Sequence, residues 1–372
     1  MNNFTDTTLL VVCTLVIVPL TGLMMAIVPY LMKKSECFAV TVPEVARTDP
    51  YLGSLKRRYV VIMVILTALF SLIGLVTCLI RSEYGILAIL IAGPLVLCLM
   101  SFVLMLYFRQ KVRLYKKERN WVAQQQTAVA SFDLGEAPKA LSLKWNLLYI
   151  PVLLITVLVG VVGYAQMPDV ITVHVGFGGE ANGWMDKSPM VILIPLVIQV
   201  FLAACMILSH WMIIHSKRAA NPEAPATSAL AYGMFARANS AFLLAIGLGI
   251  CLLMIPLLLA FMGVMNLIQV TAAILIFTLI LIVGAIAIAV VYGQGGSRVF
   301  ARMQESSTLL ADNDQFWKLG VFYFNPDDPS LFLLERFGVG WTFNWARPAV
   351  WAILAGGAVL TIAFVVVVIM LV

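Results

Sequence analysis

Eight apolar runs, each about as long as a lipid bilayer is thick, decide most of what this chain can become. They fall near residues 8–32, 59–80, 84–108, 146–166, 189–215, 238–263, 266–292 and 348–371. A hydrocarbon core of about 30 Å takes roughly 20 residues of helix, and only helices or closed barrels satisfy every backbone polar group within it. The expected fold is therefore all-α and polytopic, with about eight transmembrane helices. Composition agrees, because 62% hydrophobic and 11% charged residues among 372 exclude a soluble domain.

Charge placement orients the spans. The first run follows Asp6 with no basic residue before it and is succeeded at once by Lys33 and Lys34, which predicts a retained anchor with its N-terminus outside. Alternating from there, 22 of the 24 lysines and arginines fall in loops 33–58, 109–145, 216–237 and 293–347, leaving Arg81 and Lys187 on the other side. Those four loops are expected in the cytoplasm, with both termini outside. The net charge of +6 belongs to this asymmetry and implies lipid head groups, not nucleic acid, as its partner. Trp145, Trp211, Trp351 and Trp184 fall near predicted span ends, where amphipathic rings favour the interface.

Five blocks follow: 1–145 with three spans and basic loops, 146–215 as a helix pair carrying an outer loop, 216–297 as a helical hairpin, 298–347 as a cytoplasmic aromatic module, and 348–372 as the last span. The RQKVRLYKKERNWVAQQQ segment reads as a helical continuation of the third span with a solvated basic surface. Residues 216–237, rich in Ala and Pro, read as a flexible linker. In the aromatic module, VFYF and LFLLERFGVGWTF read as two short strands about an Asn325-Pro326-Asp327-Asp328-Pro329 turn, a β-hairpin-like unit. Trp341, Phe343 and Trp345 alternate onto one face suited to the lipid boundary.

Residues 167–187 form the one long polar stretch expected outside. Asp169, Glu180 and Asp186 against Lys187 give it negative character that would attract a cationic peptide, and His174 could sense a change near neutral pH. Catalytic patterns are missing: there is no HExxH, GxSxG or Walker loop. No charged side chain lies within an apolar run, which counts against ion pumps and proton-coupled transporters. His210 and His215 are five apart, the wrong spacing for two metal ligands on one helical face. Asn325, Asp327 and Asp328 read as an Asx turn held by prolines rather than a cation site. The six cysteines show neither a disulfide nor a metal pattern, and no cofactor is called for.

Pro168, Asp169, Ile171, His174, Gly179, Glu180, Trp184 and Lys187 match, without a gap, the loop motif of a bacterial membrane family that includes the SdpI-type immunity proteins, and the chain resembles that family here. Asn182 stands where an acid is usual, and Thr172, Val175 and Gly176 also depart from the pattern. The resemblance implies a ligand-binding outer loop built on Pro168, Asp169, His174, Gly179, Glu180, Asn182, Trp184 and Lys187. The stretch 316–347 is similar to a small uncharacterised module of such proteins through Trp317, Gly320, Tyr323, Asn325, Pro326, Asp328, Pro329, Arg336, Gly338, Gly340, Trp341 and Asn344. Its candidate functional residues are Trp317, Tyr323, Asn325, Asp327, Asp328, Arg336, Trp341 and Asn344.

The expectation is a non-enzymatic immunity or sensing protein of the bacterial plasma membrane. Its outer loop would engage a secreted peptide, toxin or envelope component, and its inner module a cytoplasmic regulator. A solute permease, with helices interrupted at Gly93-Pro94, Pro195 and Pro256, is the alternative. A lipid or envelope enzyme comes third, lacking any catalytic set.

Overall fold

The computed structural model describes residues 3–33, 35–43, 46, 48–80, 82–121, 137–175, 181–217, 224–303 and 313–371. Among them are eight helical segments long and apolar enough to cross a bilayer, so the protein is an all-α, multi-pass membrane protein. In chain order come α1 (Asn3–Leu31), β1 (Glu36–Cys37), β2 (Val40–Thr41), α2 (Pro50–Leu79) and α3 (Glu83–Glu118). Then follow α4 (Tyr149–Gly163), β3 (Val170–Val175), β4 (Ala181–Asp186), α5 (Met190–Ile214), α6 (Pro225–Leu252), α7 (Met254–Phe261) and α8 (Leu267–Tyr292). The chain closes with α9 (Ser297–Met303), β5 (Trp317–Lys318), β6 (Phe322–Tyr323), β7 (Phe332–Leu334), β8 (Trp341–Phe343) and α10 (Pro348–Leu371).

Several helices outrun their apolar runs for local reasons. α2 starts nine residues before the run at 59, because the Asp49 carboxylate accepts from the amides of Tyr51 and Leu52 at 2.8 and 3.2 Å and Pro50 supplies a helical first turn. α3 continues through Glu118, as expected for RQKVRLYKKE; at 1.5 Å per residue its 36 residues reach about 54 Å, beyond a bilayer core. The linker expected at 216–237 is helical from Pro225 on. The sixth span breaks at Leu253, where Pro256 has no amide hydrogen to give the carbonyl of Leu252.

The chain divides into two compact units, neither of them one stretch of sequence. One comprises residues 1–137, 217–235 and 289–346; the other comprises 138–216, 236–288 and 347–372. The block expected at 216–297 is thus shared between them.

In the first unit α1, α2 and α3 pack on one another. A Cβ at Gly22 would lie 2.0 Å from Thr67 Oγ1, so only glycine allows that approach. Tyr59 bridges to Ser101 at 2.6 Å, and its ring packs against Phe38 and Phe108, which stack on one another, at the expected cytoplasmic end. The strands differ from expectation. VFYF does not pair with LFLL across the proline-rich turn; instead β5 pairs with β6 and β7 with β8, each antiparallel, and a parallel bridge from Tyr323 to Asn344 joins the two hairpins. Trp341 and Phe343 are half-buried, against Phe235 at 5.4 Å and Phe332 at 5.7 Å, and Phe343 lies 5.8 Å from Trp345.

In the second unit α4 packs on α5 and α7, and α10 lies along α5 with Phe364 stacked on Phe201 at 4.1 Å. The antiparallel β3–β4 hairpin joins α4 to α5.

Candidate functional site

The β3–β4 hairpin, called the outer hairpin for the side on which it is expected, is built on one buried face. Ile171 lies opposite Met185, and Ile171 is fully buried among Met167, Val191, Leu258 and Phe261. Because strand side chains alternate, that anchor turns the flanking pairs Val170–Asp186 and Thr172–Trp184 the other way. Trp184 keeps 61% of its surface exposed, with Pro168, Asp169, Val170 and Asp186 exposed beside it. A register shift between Thr172 and Val175 sets His174 opposite Gly183, and Asn182 lies within β4. Gly179 and Glu180 lie outside the described residues.

Lys187 has a structural role. Its ammonium donates to the carbonyl of Met167 at 2.7 Å and lies 5.3 Å from the Tyr164 ring centre, while its backbone amide donates to the carbonyl of Asp169 at 2.8 Å. It closes the base of the hairpin and caps the helical turn that precedes it. The lysine is thereby turned inward, and the exposed carboxylates of Asp169 and Asp186 set the charge of the outward face.

The aromatic module, called the inner module for its expected cytoplasmic side, is organised around Arg336, a residue singled out from sequence, and around partners that the sequence did not reveal. Its guanidinium donates to Asp314 and Asn313, to Thr41 Oγ1 at 3.0 Å and to the carbonyl of Ala39 at 3.2 Å. Glu36 lies 3.7 Å from its Nε, and the Trp317 ring centre 4.9 Å away. Lys116 pairs with Asp314 at 2.8 Å, and Arg109 donates to the carbonyls of Ala39 and, at 3.1 Å, Trp317. Burial alone would raise the Asp314 carboxyl; the Arg336 and Lys116 cations overcome it and hold the group well below the usual carboxylate range. Burial raises Glu36, against the pull of Lys33 and Arg336, and its Oε2 has no hydrogen-bond partner. Arg109 and Lys116, read as part of a solvated basic face, are instead turned into this cluster. One signal was present: Arg109 is the first charge after the apolar run of α3.

The proline-rich turn is tied by amides. Asn344 is fully buried; its Nδ2 donates to the carbonyls of Asn325 and Asp328 at 2.8 and 2.9 Å, and its Oδ1 accepts from the Asn325 amide at 3.1 Å. Tyr323 donates to Asp328 Oδ2 at 2.9 Å, and Lys217 lies against the same oxygen. Burial opposes ionisation of Asp328, but Lys217 and the Ser330 amide lower its pKa. Asn325 Oδ1 accepts from the Asp327 amide and Asp328 Oδ1 from the Ser330 amide, both at 3.0 Å, which makes a double Asx turn with Asp327 exposed at its tip. Among the described residues, no group of three His, Cys, Asp or Glu is placed to hold a metal ion.

Two polar contacts lie among the helices of the second unit. Gln199, ten residues into α5 and so about 15 Å along it, donates to Thr156 Oγ1 at 2.7 Å and to the carbonyl of Cys251 at 2.8 Å. That carbonyl lies next to the break between α6 and α7, so the amide ties α5 to α6 there. His210 is buried, its Nε2 facing the carbonyl of Leu141 at 2.9 Å and its Nδ1 the Asn146 amide at 3.1 Å; both nitrogens are engaged in holding the segment that enters α4.

Comparison with known proteins falls on these regions. A domain of unknown function, DUF1648, matches residues 152–198, from α4 through the hairpin into α5. A family of unknown function, DUF5808, matches residues 326–351, from the Asx turn to the start of α10. No curated protein and no solved structure matches the chain.

Proposed function

We propose that this protein is an immunity or sensing protein of the bacterial plasma membrane, akin to the SdpI-type proteins, whose outer hairpin engages a secreted peptide or envelope component. The observation that carries the proposal is the division of labour within the hairpin. Ile171, Met185 and Lys187 hold its fold, while Trp184 and Asp186 face outward and, among the described residues, take no part in its buried face. An exposed ring beside carboxylates suits a cationic peptide with apolar side chains. The inner module would then report the bound state to a cytoplasmic regulator.

The test is a sensitive bacterium expressing the chain and challenged with the toxin that SdpI-type proteins resist. The expected result is protection by the native chain, and its loss in His174→Ala, Trp184→Ala and Asp186→Asn at unchanged membrane abundance. Full protection by all three variants would reject the hairpin as the site.

A second reading, a solute permease, draws on the broken sixth span beside Gln199, since discontinuous helices line transporter sites. It expects solute flux in proteoliposomes that falls in Gln199→Leu; a sealed membrane in both proteins would remove it.

A further inference from the structure

One face of the inner module is apolar and, among the described residues, exposed. Along β5 and β6 the side chains alternate, so Trp317 and Tyr323 turn inward while Lys318, Phe322 and Phe324 turn out. Leu319 stands at the tip between them. Leu319 is 56% exposed, Phe322 42% and Phe324 47%. In water, such a cluster of large apolar side chains marks a surface meant for something else.

The tip is also strained in a way that the protein itself does not offset. Leu319 and Gly320 both have positive φ, 51° and 79°, in a turn closed by the Val321 amide on the carbonyl of Lys318. Glycine adopts that backbone freely and leucine only at a cost. The turn between β1 and β2 has the same fault at Phe38 and Ala39, with φ of 47° and 58°. There the compensation is visible: Phe38 is fully buried against Tyr59 and Phe108, and the Ala39 carbonyl accepts from Arg109 and Arg336. Leu319 has no comparable burial.

A contact within the first unit gauges the depth of this tip. A Cβ on Gly320 would lie 2.8 Å from Arg109 Nη1 and 3.0 Å from the Ala39 Cβ, so the turn rests against the side chain of Arg109, where the apolar run of α3 ends. At the other side of the patch, the Phe322 ring meets Trp345 at 5.7 Å, an aromatic pair of the kind that favours the head-group zone.

We propose that Leu319, Phe322 and Phe324 insert into the inner leaflet of the membrane that the helices cross, with Lys318 on the same face meeting the phosphates of anionic lipids. The occupant is the bilayer itself, because the tip rests against Arg109 at the end of the apolar run of α3 and the exposed charge beside Leu319, Phe322 and Phe324 on this face, Lys318, is basic. The module would then be a membrane-resting unit, sensitive to the lipid composition beside it.

The experiment uses the full-length chain with its native cysteines replaced, spin-labelled one site at a time at 319, 322 or 324 and reconstituted into phosphatidylcholine–phosphatidylglycerol vesicles. A label at Asp327, exposed at the tip of the Asx turn, serves as the water-facing control. The expected result is that labels at 319, 322 and 324 collide more with dissolved oxygen than with a water-soluble nickel chelate, and the label at 327 the reverse. Nickel access equal to that at 327 would overturn the proposal. So would shielding from both reagents, which would mean a protein partner or a second copy. In pure phosphatidylcholine the labels should lie shallower, and Lys318→Gln should abolish that difference; the same depth in both lipids with native Lys318 would overturn the role of the lysine.

Discussion

The two β-structured regions of this molecule are held by opposite means. The outer hairpin rests on apolar contact: Ile171 and its neighbours supply the anchor and one ammonium, that of Lys187, closes the base. The inner module rests on charge, with Arg336, Asp314, Lys116 and Arg109 turned inward and the carbonyls and amides of two hairpins gathered around them. An apolar anchor is tolerant of shape and adds up by area, whereas a buried ionic cluster depends on every member, because a charge left without its partner remains desolvated. The fold of the outer hairpin thus depends little on its exposed face, whereas the buried cluster of the inner module depends on each of its members.

That contrast can be broken by substitution. Arg336→Ala should have the largest effect, on the order of 3–5 kcal/mol of the stability of the first unit, because it leaves buried Glu36 without its guanidinium neighbour and Asp314 with Lys116 as its remaining cation; Arg336→Lys should restore only part, lacking the guanidinium fork. Differential scanning fluorimetry and proteolysis of the 313–346 segment read this out, and an unchanged unfolding temperature would remove Arg336 from the centre of the module. Ile171→Ala should cost about 2–4 kcal/mol, expressed as faster amide exchange across β3 and β4 with the inner module unchanged. If both regions loosened together, the separation drawn here would fail. Lys187→Met should cost roughly 1 kcal/mol and fray the base of the hairpin at Asp169, again by amide exchange.

The smallest effect is one of pH. Burial raises the Glu335 carboxyl, beside β7, to about 7. Its folded-state pKa lies above the unfolded one, so the protonated form favours folding and that contribution is lost as pH rises through about 7. Asp314 has the opposite sign: its depressed pKa stabilises above the unfolded value and is lost only in strong acid. Amides of Phe332–Leu334 should therefore exchange faster at pH 8 than at pH 6 beyond the intrinsic rate change, and Glu335→Gln should flatten the difference.

Much of the fold was legible because a bilayer imposes length and charge rules on any chain that crosses it. Eight apolar runs became eight spanning segments, and the Asx turn at Asn325 and Asp328 followed from local side-chain chemistry. The extension of α3 was legible, but the early starts of α2 and α6 were missed, since the Asp49 cap and the helical stretch from Pro225 carry no hydrophobic signal. The strand pairing of the inner module was misjudged because VFYF and LFLL have similar composition, and composition does not choose a partner. In the outer loop the sequence named the residues but not their division: Trp184 and Lys187 look alike as polar-loop candidates, and only the register showed that one points out and the other holds the base.

By itself, then, the sequence determined that the chain is a bundle of spanning helices and where the polar segments between them lie. Those properties depend on the transfer of each residue between water and lipid, which is additive along the chain. Only the tertiary structure decided that Glu36, Thr41, Arg109, Lys116, Asp314 and Arg336, spread over 301 residues, share one buried cluster. A buried charge is acceptable only beside its counter-charge, and that proximity is a property of the folded chain, invisible to any stretch of sequence read alone.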